Sequence, residues 1–166
     1  YGFSSRAENH LGNKLMSVDF EGVEETNILG GEIAYVNNSL SVQGEYLQTT
    51  VIGETETELS SYYGQVSYFL TGESRPYKNS LSGFGRVKPN NNYGSGGKGA
   101  FELVARTSSM DLTAANQGTL NDITLGLNWY LNPHTRIMLN YVMGEMTNET
   151  EVITENAVMM RVQLDF

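Results

Sequence analysis

Seven basic side chains are the residues of this 166-residue chain with the clearest chemical use. Arg75, Lys78, Arg86 and Lys88 fall within fourteen positions of one segment, while Arg106, Arg136 and Arg161 stand at alternate positions of three other stretches. Fixed cations of this kind draw anions and bias the passage of ions; they do not make or break bonds. The competing reading is structural: cations pair with carboxylates and hold neighbouring elements, and Arg75 and Arg86 would then only tie a loop to a wall. Catalytic chemistry has little support. With no Cys, the chain has no thiolate nucleophile and no Cys-based metal site. His10 and His134 stand alone, without a partner at metal-ligand spacing. A Gly-x-Ser-x-Gly elbow is lacking, and the Gly94–Gly99 run is not followed by a helical pattern that could hold a phosphate. The chain reads as a non-enzyme with no catalytic residue, no metal site and no cofactor. Ten Lys+Arg against nineteen Asp+Glu give a net charge of −9, which excludes a nucleic-acid partner.

The elements that position these residues are strands. Val158, Met160, Val162, Leu164 and Phe166 alternate with Met159, Arg161, Gln163 and Asp165. Ile123, Leu125, Leu127, Trp129 and Leu131 form one face of a second stretch, and Ile137, Leu139, Tyr141 and Met143 one face of a third. The same period of two marks Phe101–Arg106, Tyr62–Leu70, Leu40–Tyr46, Leu29–Tyr35 and Met16–Phe20. Period-two alternation rich in β-branched and aromatic residues is the strand signal, and no stretch carries a helical period. About eight strands result, each of roughly 9–11 residues, the length that crosses a hydrocarbon layer when tilted. A mean hydropathy of −0.33 does not argue against this, because only alternate residues of a barrel strand face lipid.

The connections are expected to alternate in length. Asn37-Asn38-Ser39 and Asn132-Pro133-His134 read as tight turns. Segments near 21–27, 49–59, 109–119 and 146–155 read as longer polar loops, several of them acidic. Trp129, Tyr130, Tyr68, Phe69 and Phe101 lie near strand ends, where an interfacial girdle belongs. One connection breaks the alternation: residues 71–98 are long, carry the four clustered cations, and lie on the short-turn side. A loop this long has a function or is unstructured.

Tyr68-Phe-Leu-Thr-Gly-Glu-Ser-Arg-Pro-Tyr-Lys78, followed by Phe84-Gly-Arg-Val-Lys-Pro89, resembles the signature of the phosphate- and polyphosphate-selective porins O and P. Ser41–Tyr46, Phe101–Arg106, Leu125–Pro133 and Arg136–Val142 fit that family in the same order, and Arg6-Ala-Glu-Asn-His-Leu11 is similar to a further family segment. The resemblance covers nearly the whole chain.

It implies an all-β fold: a transmembrane antiparallel β-barrel of the bacterial outer membrane, sixteen-stranded and usually trimeric. Residues 1–166 would be the C-terminal part of that one domain, with the remaining strands outside this chain and the 71–98 loop folded into the lumen. The start Tyr1-Gly2-Phe3 has no signal-peptide character, consistent with a processed or partial chain. The implied function is passive diffusion of small hydrophilic solutes, with small anions such as phosphate as the solute. Its expected partners are outer-membrane lipid, lipopolysaccharide and two further copies in a homotrimer. Arg75, Lys78, Arg86, Lys88, Arg106, Arg136 and Arg161 are then the candidates for lining the pore. Three rivals stay open: a complete small barrel, a structural or surface-interaction barrel with an occluded pore, and a soluble ligand-binding barrel.

Overall fold

The structure, a computed structural model, describes residues 1–78, 83–94 and 96–166. Residues 79–82 and 95 of the expected 71–98 loop lie outside the described residues. Two short strands, β1 (Gly2–Ser5) and β2 (Met16–Asp19), pair with each other. The long strands are β3 (Glu25–Asn37), β4 (Leu40–Ile52), β5 (Glu56–Phe69), β8 (Ala100–Asp111), β9 (Thr119–Asn132), β10 (Thr135–Thr147) and β11 (Val152–Leu164). They form one antiparallel seven-stranded sheet in the order β11-β10-β9-β8-β5-β4-β3, open at β3 and β11. A third small pair, β6 (Tyr77–Lys78) with β7 (Gly83–Phe84), belongs to the long connection between β5 and β8.

Seven strands, and not eight, therefore make the sheet. The stretch expected as the first, Met16–Phe20, pairs with β1 instead of joining it. Four residues reach only ~13 Å, and Met16 is fully buried among side chains of the long strands. The long strands run 12–14 residues, beyond the expected length, because strand takes part of every expected loop and most of those at 49–59 and 146–155. What remains between strands at that end is residues 53–55, 112–118 and 148–151. The contrast with the two-residue turns at 38–39 and 133–134 is thus milder than the sequence suggests. Asn38 adopts a φ of 51°, a left-handed conformation that Asn tolerates better than most residues.

Cross-strand register turns the alternation into two distinct faces. Tyr35, Val42, Val66, Ala105, Leu125, Tyr141 and Val158 are successive partners, one per strand across all seven. A second row runs Leu40, Tyr68, Leu103, Leu127, Leu139 and Met160. Most of these side chains are exposed, Met160 at 74% and Val158 at 72%. On the other face the intervening row reads Ala34, Gln43, Gln65, Arg106, Thr124, Val142 and Ala157. Residues 1–20 and much of residues 70–90 pack against this second face, called the inner face below.

The packing requires the sheet to curl. Met16, Leu15, Phe3 and Phe20 share one apolar cluster with Val51, Leu59, Met110, Leu120, Met146 and Ile153. Those partners come from six successive strands, which laid flat would spread over ~24 Å. One short hairpin reaches them all only if the sheet wraps around it. Near the tight turns a second cluster joins Val87 to Phe69, Ala100 and Tyr130. Phe69 and Tyr130 are therefore inner-face core residues and not girdle residues. The aromatic group there outside the core is half-buried Trp129, stacked on Phe101 at 5.5 Å and edge-on to exposed Tyr93 at 5.2 Å.

Gly99 closes the connection where β8 begins. Its φ is +75°, and a Cβ built on it would lie 2.3 Å from the Tyr130 carbonyl oxygen. Gly99→Ala is expected to destabilise the fold by at least ~1–2 kcal/mol, lowering the temperature at which the heat-modifiable folded band is lost on a gel. A variant that melts with the wild type would mean the backbone escapes this conformation at no cost.

Candidate functional site

The inner face carries the polar chemistry, and two inserted segments organise it. The first is the 70–99 connection. Glu102 of β8 is wholly buried, and its carboxylate collects three donors, one from the connection and two from β9. Arg75 donates through Nε and Nη2 to Oε1, both at 2.7 Å. Asn128 Nδ2 and Tyr130 Oη each donate to Oε2 at 2.9 Å. Charge-assisted bonds of this kind are the strong ones, so Glu102 clamps the connection to the wall. Glu73 works from the other side: it is buried, accepts from Thr71 Oγ1 and takes the Asn90 backbone N–H at 2.9 Å. Asn128, which the alternation places simply on the wall, is thus committed to Glu102.

The second insertion is residues 1–20. Glu8, on the segment between β1 and β2, reaches across to β8 and β9. Its carboxylate accepts from Arg106 Nε, from Ser108 Oγ at 2.8 Å and from Thr124 Oγ1 at 2.5 Å. Burial works to raise the pKa of Glu8, but the hydrogen bonds from Thr124, Arg106 and Ser108, with the Arg106 charge, outweigh it and hold the carboxyl below its ordinary value. The Arg106 guanidinium also lies over the Tyr63 ring, 3.8 Å from its centroid. Asn9 extends the bridge to β11 by donating to Glu155 at 2.8 Å. Glu155, expected in an outward acidic loop, is instead a strand residue that receives this bond.

The seven candidate cations therefore separate into groups. Arg75 and Arg106 form the two ion pairs found among the described residues, with Glu102 and Glu8. Arg75, Arg86 and Arg136 line one cavity of about 300 Å³ with His134, Tyr130 and Asp165. There Arg86 Nη1 lies 3.0 Å from His134 Nδ1, and Arg136 donates to Gln163 Oε1 through Nε and Nη2. Arg161 occupies the same inner row as Met138, on the strand at the open edge. Lys78 lies in β6 and Lys88 is exposed; neither joins the cavity of Arg75, Arg86 and Arg136. Further along the inner face a cavity of about 500 Å³ lies between Glu32, Gln43 and Tyr63 of the wall and Tyr77 and Phe84 of the connection. A third, of about 250 Å³, is lined by Arg6, Glu8, Glu45, Tyr63, Arg106, Ser108 and Asp122.

Residue-type reasoning allowed for Arg75 tying the loop to a wall carboxylate, with Glu45 or Glu102 as the partner, and the structure makes it Glu102; the partner of Arg106, Glu8, was missed. Glu102 stands on the correct face by parity, but its burial depends on the connection lying over it. Glu8 lay within a segment visible as similar to a family segment, yet nothing local marks it as the partner of Arg106, 98 positions away.

A profile of the family described as phosphate-selective porin O and P matches residues 1–166. Porin O of Pseudomonas aeruginosa is 29% identical over 178 residues, covering 93% of this chain and 39% of that protein. An uncharacterized protein of Caulobacter vibrioides is 29% identical over 175 residues, covering 99% of this chain and 35% of that protein. The chain thus spans well under half the length of these curated relatives. By the match over its whole length, the chain belongs to the phosphate-selective porin O and P family of the bacterial outer membrane.

Proposed function

We propose that residues 1–166 are the C-terminal part of an outer-membrane β-barrel that passes small hydrophilic solutes by diffusion, with small anions such as phosphate preferred. The observation that carries this reading is the uninterrupted outer row from Tyr35 to Val158. It runs ~29 Å across the sheet at ~4.8 Å per strand, exposed and apolar, a surface that soluble monomers seldom carry. Strands of 13 residues extend ~43 Å, enough to cross a ~30 Å hydrocarbon layer at a steep tilt. The polar inner face then borders water.

The open edges at β3 and β11 support a larger barrel, because unpaired backbone groups are not viable in lipid. Strands beyond this chain would pair with both, and ~16 strands leave an aqueous channel. On this reading the 70–99 connection lies in the lumen, and homotrimer formation and contact with lipopolysaccharide follow the family. Porin membership supports a channel over an enzyme.

Anion preference is assigned mainly to Arg86, Arg136 and Arg161. Arg75 and Arg106 spend their charge on Glu102 and Glu8. In planar bilayers the full-length protein should conduct, with a reversal potential in a KCl gradient that reports anion preference. Arg86→Gln with Arg136→Gln should lower the anion-to-cation permeability ratio roughly two-fold or more. An unchanged ratio would remove these two arginines from selectivity, and a silent bilayer would favour the occluded barrel.

A further inference from the structure

Glu8 occupies a receptor that the wall builds for an oxyanion. Three donors from two strands converge on one carboxylate: Arg106 Nε and Ser108 Oγ on Oε1, and Thr124 Oγ1 on Oε2. A guanidinium with two hydroxyls is the donor set that a phosphate or carboxylate recruits, and Tyr63 fixes the guanidinium from behind. Neither Glu8 nor Arg106 is sealed, their side chains being 21% and 28% exposed. The cavity of about 250 Å³ that they line with Arg6 and Ser5 gives a free anion somewhere to enter from. Nor is Glu8 held in a sheet: it lies between the four-residue strands β1 and β2, not within either. Asp122 lines the same cavity and keeps one buried carboxylate oxygen without a hydrogen-bond partner. A second carboxylate so close repels Glu8 and an incoming anion alike, so the three donors, and not Asp122, decide that an anion binds here.

We propose that Arg106, Ser108 and Thr124 form an oxyanion site on the inner wall, and that Glu8 is a tethered surrogate anion which inorganic phosphate or a carboxylate solute displaces. This rests on the porin reading for the access of solute to the inner face. Displacement removes one of the two side-chain bridges, Glu8 and Asn9, that tie the segment between β1 and β2 to the wall, so that occupancy by solute and the hold on residues around Glu8 are linked. Because Glu8 is seated most of the time, the site is vacant for only a small fraction of it, and the apparent affinity is the intrinsic affinity multiplied by that fraction.

The test is calorimetric titration of inorganic phosphate into the full-length protein in detergent. Glu8→Ala should bind phosphate about ten-fold or more tighter than the wild type. Adding Arg106→Gln or Thr124→Val to Glu8→Ala should abolish the gain, which a mere loosening of residues 1–20 would not explain. Equal affinity in the wild type and Glu8→Ala overturns the proposal, as does a gain that survives loss of Arg106 and Thr124. Conductance in the same preparation reports on the porin reading separately: a conducting protein with no shift in affinity sinks the oxyanion site alone, and a silent one that shows the shift sinks only the channel.

Discussion

Met160→Arg should sharply reduce the yield of folded protein, whereas Met159→Arg, one residue earlier, should fold nearly as well as the wild type. The two methionines share β11 and differ only in facing. Met160 is the partner of Leu139 in an apolar outer row, and Met159 is the partner of Asn140 on the inner face. An arginine on the lipid side near the midplane costs ~2–4 kcal/mol, a large share of the stability of any domain. On the inner side the same charge meets water and a polar wall. The measurement is refolding yield into detergent or lipid, read from the heat-modifiable band. Equal yields would mean that the outer rows do not face hydrocarbon, and the membrane reading would fail with them.

Glu102→Ala should release the 70–99 connection. Removing this carboxylate leaves the Arg75 guanidinium, 17% exposed, without a counter-charge, and strips Asn128 and Tyr130 of their shared acceptor. Breaking a buried pair in this way costs ~3–5 kcal/mol. The sheet keeps its ladders, so the loss falls on the docking of the connection and not on the strands. Trypsin should then cut rapidly after Lys78 or Arg86, while the wild type resists; Arg75 and Lys88 each precede a proline and are not cut. Glu102→Gln keeps an acceptor in place and should give intermediate cleavage. If Glu102→Ala is cut no faster than the wild type, the clamp is elsewhere, and the apolar seat of Val87 on Phe69, Ala100 and Tyr130 becomes the first place to look.

Strand type, facing and family were all legible in the amino-acid order, because they depend on short-range chemistry. A period of two assigns each side chain to a face wherever the chain is extended, so Leu125, Leu139, Tyr141 and Val162 could be placed outward and Arg106, Arg136 and Arg161 inward before any register was known. Extended matches such as Tyr68–Lys78 carried the family resemblance for the same local reason. Strand number was less secure: Met16, Val18 and Phe20 alternate like a wall strand, and only their burial against Leu112, Leu120 and Met146 reveals a hairpin packed on the inner face. Phe69 and Tyr130 show the same limit, since parity alone does not say what will cover them. What the tertiary structure alone decided is which charges remain available. Arg75 meets Glu102 across 27 positions and Arg106 meets Glu8 across 98. An ion pair depends on a few ångströms between groups that the chain separates widely, and that distance exists only once the sheet has curled around its two insertions.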